Sequence, residues 1–435
     1  MNSAVLPSFT EALRFWFKLG WISFGGPAGQ IALMHQELVD RRRWIDEPRY
    51  LHALNYCILL PGPEAQQLAT YMGWLMHGTK GGIAAGALFV LPSLVVICVL
   101  TWMYLSFGNV IWVAGMFYAV KPAVAAIVLH AAHRIGRRSL KHPALWLLAA
   151  AAFGAIAVAK VPFPAVIAIA AVLGLIGGRL RPVWFSTAAA HPSAPASSVS
   201  AAAPVGRAKP LLYALVGLAL WGVPLGLLVY AYGWFGDPTQ MGWFFTNAAL
   251  LTFGGAYAVL PYVFQGAVER YAWVNAAQMM DGLALGETTP GPLIMIVAFV
   301  GFAGGWKLPE IAGGDALLAA VMCASVATYF TFLPSFLFIL IGAPIVEATH
   351  GKLAIAAPLA AIGAAVVGVV ASLVVFFAQH TLWPSTRGGD LDLLALGLLL
   401  LALVLLFRTK LGIIWTVGVF AGIGLVLALL GFTVG

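Results

Sequence analysis

Four stretches of this chain carry no charged residue and are long enough to cross a lipid bilayer. They span residues 81–120, 211–236, 316–346 and 353–386. A transmembrane helix needs about 20 apolar residues, whereas a strand of a membrane barrel needs only about 10 of alternating polarity. Within a bilayer the backbone N–H and C=O groups must find partners in the protein, and uniformly apolar runs of this length do so as helices. The sequence therefore predicts an all-α polytopic membrane protein.

The shortage of charge excludes a soluble globular fold. Only 9% of the 435 residues are charged and 62% are hydrophobic, whereas soluble domains carry about 25% charged residues. The three cysteines are isolated, so neither a disulfide framework nor a cysteine metal site is predicted. The first apolar stretch contains Glu11, Arg14 and Lys18, which is not typical of a cleavable signal peptide. We expect lipid around the protein and no nucleic-acid partner, cofactor or metal.

An internal repeat organises the chain. Ser23–Gly26 returns as Thr252–Gly255, and Pro61–Pro63 returns as Pro290–Pro292. The offset is 229 in both cases (254 − 25 and 291 − 62). Two Gly/Pro motifs at identical separation indicate a duplication.

A third motif, Leu-Pro-Ser, also occurs once in each half. Leu91–Ser93 is matched by Leu333–Ser335, and this match needs an offset of 242. The additional thirteen positions (242 − 229) fit a loop insertion around Lys307–Asp315. The third motif therefore extends the duplication beyond the first two.

The duplication defines four parts of the chain. We expect a first transporter repeat over residues 1–180 and a second over residues 237–435. Residues 181–209 form an Ala/Ser/Pro-rich cytoplasmic linker, and residues 210–236 form a connecting transmembrane helix. A single unpaired crossing turns the second repeat upside down relative to the first, which is an inverted-topology repeat.

The distribution of charge supports this inversion. Residues 1–210 contain 17 Lys and Arg, and residues 211–435 contain 6. Because basic loops stay in the cytoplasm, we expect the loops of the first half inside and those of the second half outside. Binding of anionic lipid headgroups by the arginines is the alternative, but it explains local clusters and not the asymmetry.

The number of complete crossings is less constrained. The apolar pattern gives about 13 hydrophobic segments, some of them broken or re-entrant. A full crossing by the first segment, about Phe9–Phe24, would leave Arg41–Arg43 outside. A re-entrant hairpin that turns at Gly25-Gly26-Pro27 returns these arginines to the inside, and we favour it.

The Gly-Gly-Pro and Pro-Gly-Pro motifs are expected to break helices inside the membrane. Proline removes a backbone donor and glycine tolerates unusual backbone angles. Such breaks are tolerated where the freed groups line a cavity, and a half-helix N-terminus attracts anions. Packing kinks are the alternative, since Gly and Pro are common in membrane helices. The duplication of the motifs favours a substrate site at the centre of the membrane.

The predicted substrate site consists of the motifs and the polar residues near them. Charged residues within the membrane are functional candidates because they are expensive there, although Arg14 can also snorkel to the interface. We expect Glu64 and Glu287 to pair with a cation such as Arg14 or Lys18, or to cap a half-helix start. The candidate substrate-binding residues are Gly25, Gly26, Pro27, Gln30, Pro61, Gly62, Pro63, Glu64, Gln66, Gly254, Gly255, Tyr257, Glu287, Thr288, Thr289, Pro290, Gly291, Pro292, Arg14 and Lys18.

Four runs carry a resemblance to a known family: Ser23–Gln30 (SFGGPAGQ), Leu60–Gln67 (LPGPEAQQ), Thr252–Pro261 (TFGGAYAVLP) and Asp281–Pro292 (DGLALGETTPGP). Together they resemble the chromate ion transporter family, in particular its long, two-domain (ChrA-type) members. The resemblance covers the chain apart from the linker. It implies export of chromate from the cytoplasm across the bacterial inner membrane, and hence chromate resistance. Sulfate is the isosteric competitor.

The two halves depart from each other at the predicted site. Pro27 is matched by Ala256, and Glu64 is matched by Leu293. Functional equivalence of the two halves is therefore not expected.

Three further alternatives concern function and assembly. A transporter or passive channel for sulfate or another inorganic anion is the nearest alternative. A membrane-embedded enzyme is disfavoured, because the acidic residues are scattered and no nucleophile–base set or metal-ligand spacing occurs. A homodimer is compatible with the sequence.

Overall fold

The computed structural model describes residues 7–24, 26–108, 110–185, 208–253, 255–348, 356–384, 390–409 and 411–431. Over these residues it contains 16 α-helices and no β-strand. Of the predicted linker, residues 186–207 lie outside the described residues.

The helices fall into two series separated by a connector. The first series is α1 (Phe9–Ile22), α2 (Gly26–His35), α3 (Glu47–Leu59), α4 (Glu64–Phe107), α5 (Ile111–Ser139), α6 (Pro143–Ala157) and α7 (Phe163–Leu180). The connector is α8 (Ala208–Tyr232). The second series is α9 (Asp237–Leu251), α10 (Ala256–Phe264), α11 (Ala276–Thr288), α12 (Ile296–Trp306), α13 (Ala316–Ala348), α14 (Ala356–Leu382), α15 (Leu393–Arg408) and α16 (Ile413–Leu429).

The long apolar helices confirm the predicted membrane class. Six helices of the described residues have spans that are long and apolar enough to cross a bilayer, and they lie in α4, α5, α7, α8, α13 and α14. Four shorter apolar helices accompany them. The protein is therefore an all-α, multi-pass membrane protein.

The two series repeat the same order of elements. Helix α4 is one continuous element except at His77 and Gly78, whose backbone angles are not helical. Its two arms therefore correspond to α12 and α13, and α5–α7 correspond to α14–α16. The two halves thus share an order of eight helical segments.

Unusual backbone features also recur at the offset of 229. A π-helical turn covers Gln36–Arg41 in the first half and Gln265–Arg270 in the second. Arg43 and Ala272 both have a φ of 53°, which is uncommon for residues other than glycine. Features this rare agree residue by residue, so the duplication extends to the detailed course of the backbone.

The helices that flank the predicted breaks are short. Helix α1 has 14 residues, α2 has 10 and α3 has 13, so each is at most about 21 Å long at 1.5 Å per residue. None reaches the roughly 30 Å thickness of the hydrocarbon core. Each half therefore begins with half-helices that end or start at the Gly/Pro motifs.

The halves are interlaced rather than side by side. Helix α5 of the first half packs against α14, α15 and α16, and α14 packs in turn against α5, α6 and α7. Helices α5 and α16 meet at glycines, because a Cβ on Gly115 would lie 2.8 Å from the carbonyl oxygen of Gly424. Close contact through small residues is typical of membrane helices. The centre of the molecule is therefore built by both halves.

Candidate functional site

Each Pro-Gly-Pro glycine is bonded to the other half of the molecule. The Gly62 N–H donates to the carbonyl of Thr252 at 2.8 Å, and the Gly291 N–H donates to the carbonyl of Ser23 at 2.7 Å. The two hydrogen bonds are related by the offset of 229. Both glycines adopt a positive φ, 122° and 96°, which other residues rarely adopt. Each Gly-Gly motif is thus joined to the Pro-Gly-Pro motif of the opposite half. We call each of these two junctions a crossing of the halves.

Each of these two hydrogen bonds brings two helix starts together, four in all. Helix α2 begins at the second glycine of the first Gly-Gly motif, α10 begins directly after the second Gly-Gly motif, and α4 begins at Glu64, directly after Pro-Gly-Pro. The second Pro-Gly-Pro leads into the 3-10 turn Leu293–Met295 and then α12. The first N–H groups of a helix have no partner within it, and they attract anions together with the helix dipole. The N–H groups of Gly62 and Gly291 are occupied, so the free donors belong to the helix starts.

Two buried glutamines stabilise the crossing. Gln30 donates from Nε2 to the carbonyls of Ser23, at 3.1 Å, and Gly291. Gln67 donates to the carbonyl of Pro61 at 2.7 Å. Gln66, also buried, donates to Thr70 Oγ1 at 2.9 Å, within its own helix.

The amide oxygens of these three glutamines are buried and have no hydrogen-bond partner among the described residues. They are Oε1 of Gln30, Gln66 and Gln67. Unsatisfied buried polar atoms are rare in folded proteins and each requires an explanation. Because these oxygens accept hydrogen bonds, three of them beside the helix starts fit a place that holds water.

Glu64 faces the second half across this crossing. Its carboxylate oxygens lie 3.7 and 3.8 Å from the position that a Cβ would take on Gly255, which is the N-cap of α10. The side chain is half-buried. The positive charges that act on this carboxyl are those of Arg138 and Arg134, on α5.

Glu287 lies at the end of α11 and is held by a tyrosine. Tyr257, on the first turn of α10, donates its hydroxyl to Glu287 Oε1. The guanidinium carbon of Arg134 is 6.0 Å from the centroid of the Tyr257 ring, and its charge also acts on Glu287. Arg134 thus serves both carboxyls.

The cations of this site are not the ones the sequence suggested. Arg14 and Lys18 are exposed on α1 and are not among the charges that act on Glu64 or Glu287. The sequence analysis missed Arg134, because it lies among basic residues that also serve as a topology signal. Arg134 and Arg138 are four residues apart and therefore share one face of α5, and both act on Glu64.

The other predicted residues have simpler places. Thr288 donates to the carbonyls of Ala284 and Leu285, and Thr289 donates to the carbonyl of Gly286. Four prolines lie in the links of α3 to α4 and of α11 to α12: Pro61, Pro63, Pro290 and Pro292. Gly26 and Pro27 form the first turn of α2. Gly25 and Gly254 lie outside the described residues.

A cavity of about 1010 Å³ lies next to the start of α11. Its lining includes Lys121 and Asp281, whose Nζ and Oδ2 atoms are 3.7 Å apart. Tyr104, also in the lining, donates to the same carboxylate oxygen at 2.9 Å. Asp281 precedes Glu287 by six residues on α11, or about 9 Å along the helix. The cavity thus reaches the helix that ends at the crossing.

Comparisons with known proteins agree with this organisation. The family model described as "Chromate transporter" matches residues 10–175 and 239–425, one region in each half. No solved structure matches the chain.

Relatives match over most of the chain or over one part. The "Chromate transport protein" of Cupriavidus metallidurans is 30% identical, over 92% of this chain and 90% of its own length. The protein of the same name from Pseudomonas aeruginosa is 33% identical, over 86% and 82%. The "Uncharacterized transporter YwrB" of Bacillus subtilis is 32% identical, over 28% of this chain and 63% of its own length. With both halves matched by the family model, the chain belongs to the chromate transporter family.

Proposed function

We propose that this protein exports chromate from the cytoplasm across the bacterial inner membrane and thereby confers chromate resistance. The observation that carries the proposal is the convergence of four helix starts where the halves cross. Relatives named chromate transport proteins, matched over more than four fifths of this chain, support the choice of anion. The helix starts supply hydrogen-bond donors of the kind that a tetrahedral dianion needs.

The helix starts supply hydrogen-bond donors that carry no formal charge. Each start offers N–H groups without an intrahelical partner and the positive end of a helix dipole. Several such starts around one volume can replace the water that a dianion loses in the membrane. Neutral donors also release the ion more easily than a cluster of lysines would.

Arg134, together with Arg138, supplies the positive charge on the side of the site that we expect to be cytoplasmic. It acts on Glu64 and on Glu287, so its charge is shared with two carboxyls when no anion is bound. A dianion that approaches Arg134 competes with these carboxyls. This competition limits the affinity and allows the ion to leave.

The cavity beside Lys121 supplies an exit. Lys121 precedes Arg134 by 13 residues on α5, a distance of about 20 Å along the helix. If the basic end of α5 is cytoplasmic, the cavity opens on the opposite side. Lys121 then lies on the route from the crossing to the outside.

Chromate accumulation in cells tests the proposal. Cells that express the protein should contain less chromate than matched cells that carry an empty vector, and they should grow at higher chromate concentrations. Excess sulfate inside the cells should reduce the difference, because it has the same charge and shape. Equal chromate contents in the two cell lines would contradict chromate export. A difference in sulfate content alone would assign the site to sulfate.

A further inference from the structure

The Leu-Pro-Ser motif has no part in the function so far, although it occurs in both halves. Ser93 lies in the long arm of α4, which is the part that follows the break at His77 and Gly78. Ser335 lies in α13, and both serines are fully buried. Each serine faces the Pro-Gly-Pro glycine of the other half. A Cβ on Gly291 would lie 2.8 Å from Ser93 Oγ, and a Cβ on Gly62 would clash with Ser335 Oγ. The two serines therefore complete the two crossings.

The hydroxyl of Ser93 does not make the hydrogen bond that helical serines usually make. Ser and Thr in helices commonly donate to the carbonyl four residues earlier. Thr101, two turns further along the same helix, donates to Ile97 at 2.6 Å, and Thr331 donates to Ala327 at 2.7 Å. Ser93 Oγ has no partner among the described residues. Its hydroxyl points at the crossing and remains unpaired.

The hydroxyl of Ser335 is occupied. Gln67 donates from Nε2 to Ser335 Oγ at 3.4 Å, and the same nitrogen donates to Pro61 at 2.7 Å. At the other crossing, Gln30 bonds to Gly291 and Ser23 and leaves Ser93 unpaired. The position that corresponds to Gln67 at the offset of 229 is Ile296, which cannot donate. The two crossings therefore differ in one free hydroxyl.

We propose that the Ser93 hydroxyl binds the transported tetrahedral oxyanion, whereas Ser335 positions Gln67 and does not touch the ion. This inference rests on the proposed function, since it assigns a donor for the same substrate. A buried hydroxyl without an acceptor is unfavourable, and a dianion oxygen supplies the acceptor. A hydroxyl donor suits an anion that must also leave, because it adds no charge.

The conformation described here is closed at this point. Ser93 is packed against Gly291, so an ion reaches the hydroxyl only when the long arm of α4 and the second Pro-Gly-Pro link move apart. The hydrogen bond of Gly291 to Ser23 holds that link in the closed position. Binding of the oxyanion at Ser93 is therefore coupled to opening of this crossing.

The test compares two alanine variants in proteoliposomes. For Ser93→Ala, we expect the chromate concentration at half-maximal transport to rise about tenfold, the loss of one hydrogen bond to a charged ligand. Ser335→Ala should change it less than twofold. Ser325→Ala, an exposed serine bonded within its own helix to Val321, is the control. Equal effects of Ser93→Ala and Ser335→Ala, or an unchanged half-maximal concentration in Ser93→Ala, would overturn the inference.

A second variant covers the case in which Ser93→Ala is not inserted. In Ser93→Cys, sulfate should slow labelling of the introduced thiol by a small membrane-permeant reagent, with the wild-type protein as the background. Labelling at the same rate with and without sulfate would count against Ser93. Wild-type vesicles that transport neither chromate nor sulfate would overturn the proposed function itself, which is a different result from active vesicles insensitive to Ser93→Ala.

Discussion

The two crossings at the centre of the molecule share a backbone and differ in their side chains. In each, a Pro-Gly-Pro glycine with positive φ donates its N–H to the carbonyl two residues before the Gly-Gly pair of the other half, that of Thr252 for Gly62 and that of Ser23 for Gly291. The bonds differ by only 0.1 Å (2.8 and 2.7 Å). Since this geometry depends on backbone atoms and on glycine, few substitutions preserve it, and the two copies have stayed alike.

The side chains around the crossings have diverged. Glu64 corresponds to Leu293, and Gln30 corresponds to Val259. Each crossing therefore has a polar side chain where the other has an apolar one, because Glu64 lies at the crossing of Gly62 and Gln30 lies at the crossing of Gly291. A transporter with two identical crossings would present the same surface to both sides of the membrane. We therefore expect the shared backbone to serve the fold and the two crossings to handle the substrate unequally.

The first prediction tests whether the two halves have opposite orientations in the membrane. We expect tags at Arg137 and in the linker near Ser198 to be cytoplasmic and a tag near Lys307 to be periplasmic, because 17 of the 23 basic residues lie in residues 1–210 and basic loops stay in the cytoplasm. The measurement is accessibility of the tags in intact cells and in inverted vesicles. Arg137 and Lys307 on the same side would rule out the inverted repeat.

Replacement of the crossing glycines should have the largest effect on transport. Gly62→Val or Gly291→Val forces a β-branched residue into a positive φ and against the facing serine, which separates the halves. We expect transport to fall by about 100-fold or more, or about 2.7 kcal/mol, with membrane insertion retained. Gly222→Val is the control, because a Cβ there meets nothing within 4 Å. Wild-type transport by both variants would reduce the motifs to packing kinks.

The membrane potential should drive export without a coupled ion. A dianion that leaves a negative interior gains about 4.6 kcal/mol per 100 mV (two charges at about 2.3). At about 1.4 kcal/mol per decade this supports a gradient of roughly three decades. The measurement is chromate flux in proteoliposomes under a potassium diffusion potential without a pH difference. Flux that follows a pH gradient and ignores the potential would refute this mechanism.

Arg134 should contribute less than the glycines, because helix starts also hold the ion. Arg134→Gln removes the charge shared by Glu64 and Glu287. We expect the chromate concentration at half-maximal transport to rise about tenfold, the range of a hydrogen bond to a charged group. Arg137→Gln is the matched control on the same helix, since it is exposed. Indistinguishable results for the two variants would remove Arg134 from the site.

The sequence predicted the membrane helices and the repeated backbone better than it predicted the site. Uncharged runs predicted the membrane helices because lipid permits few alternatives, and the offset of 229 predicted which backbone features recur. The offset could not reveal that Gly62 meets Thr252 rather than Ser23, because a repeat gives correspondence and not contact. Arg134 was hidden for a similar reason, since basic residues near a helix end serve both topology and binding. That Ser335 is bonded and Ser93 is free depends on where Gln67 and Gln30 point, which no motif encodes.

The central claim is that both halves together hold one oxyanion where they cross. The most direct measurement is a structure determined with chromate bound, with the anomalous signal of chromium locating the ion. We predict density between the two Pro-Gly-Pro links, within hydrogen-bonding distance of the N–H groups at the start of α4 and of the Ser93 hydroxyl, and facing Arg134. Chromium bound only in the cavity beside Lys121, or only at exposed arginines, would contradict the claim.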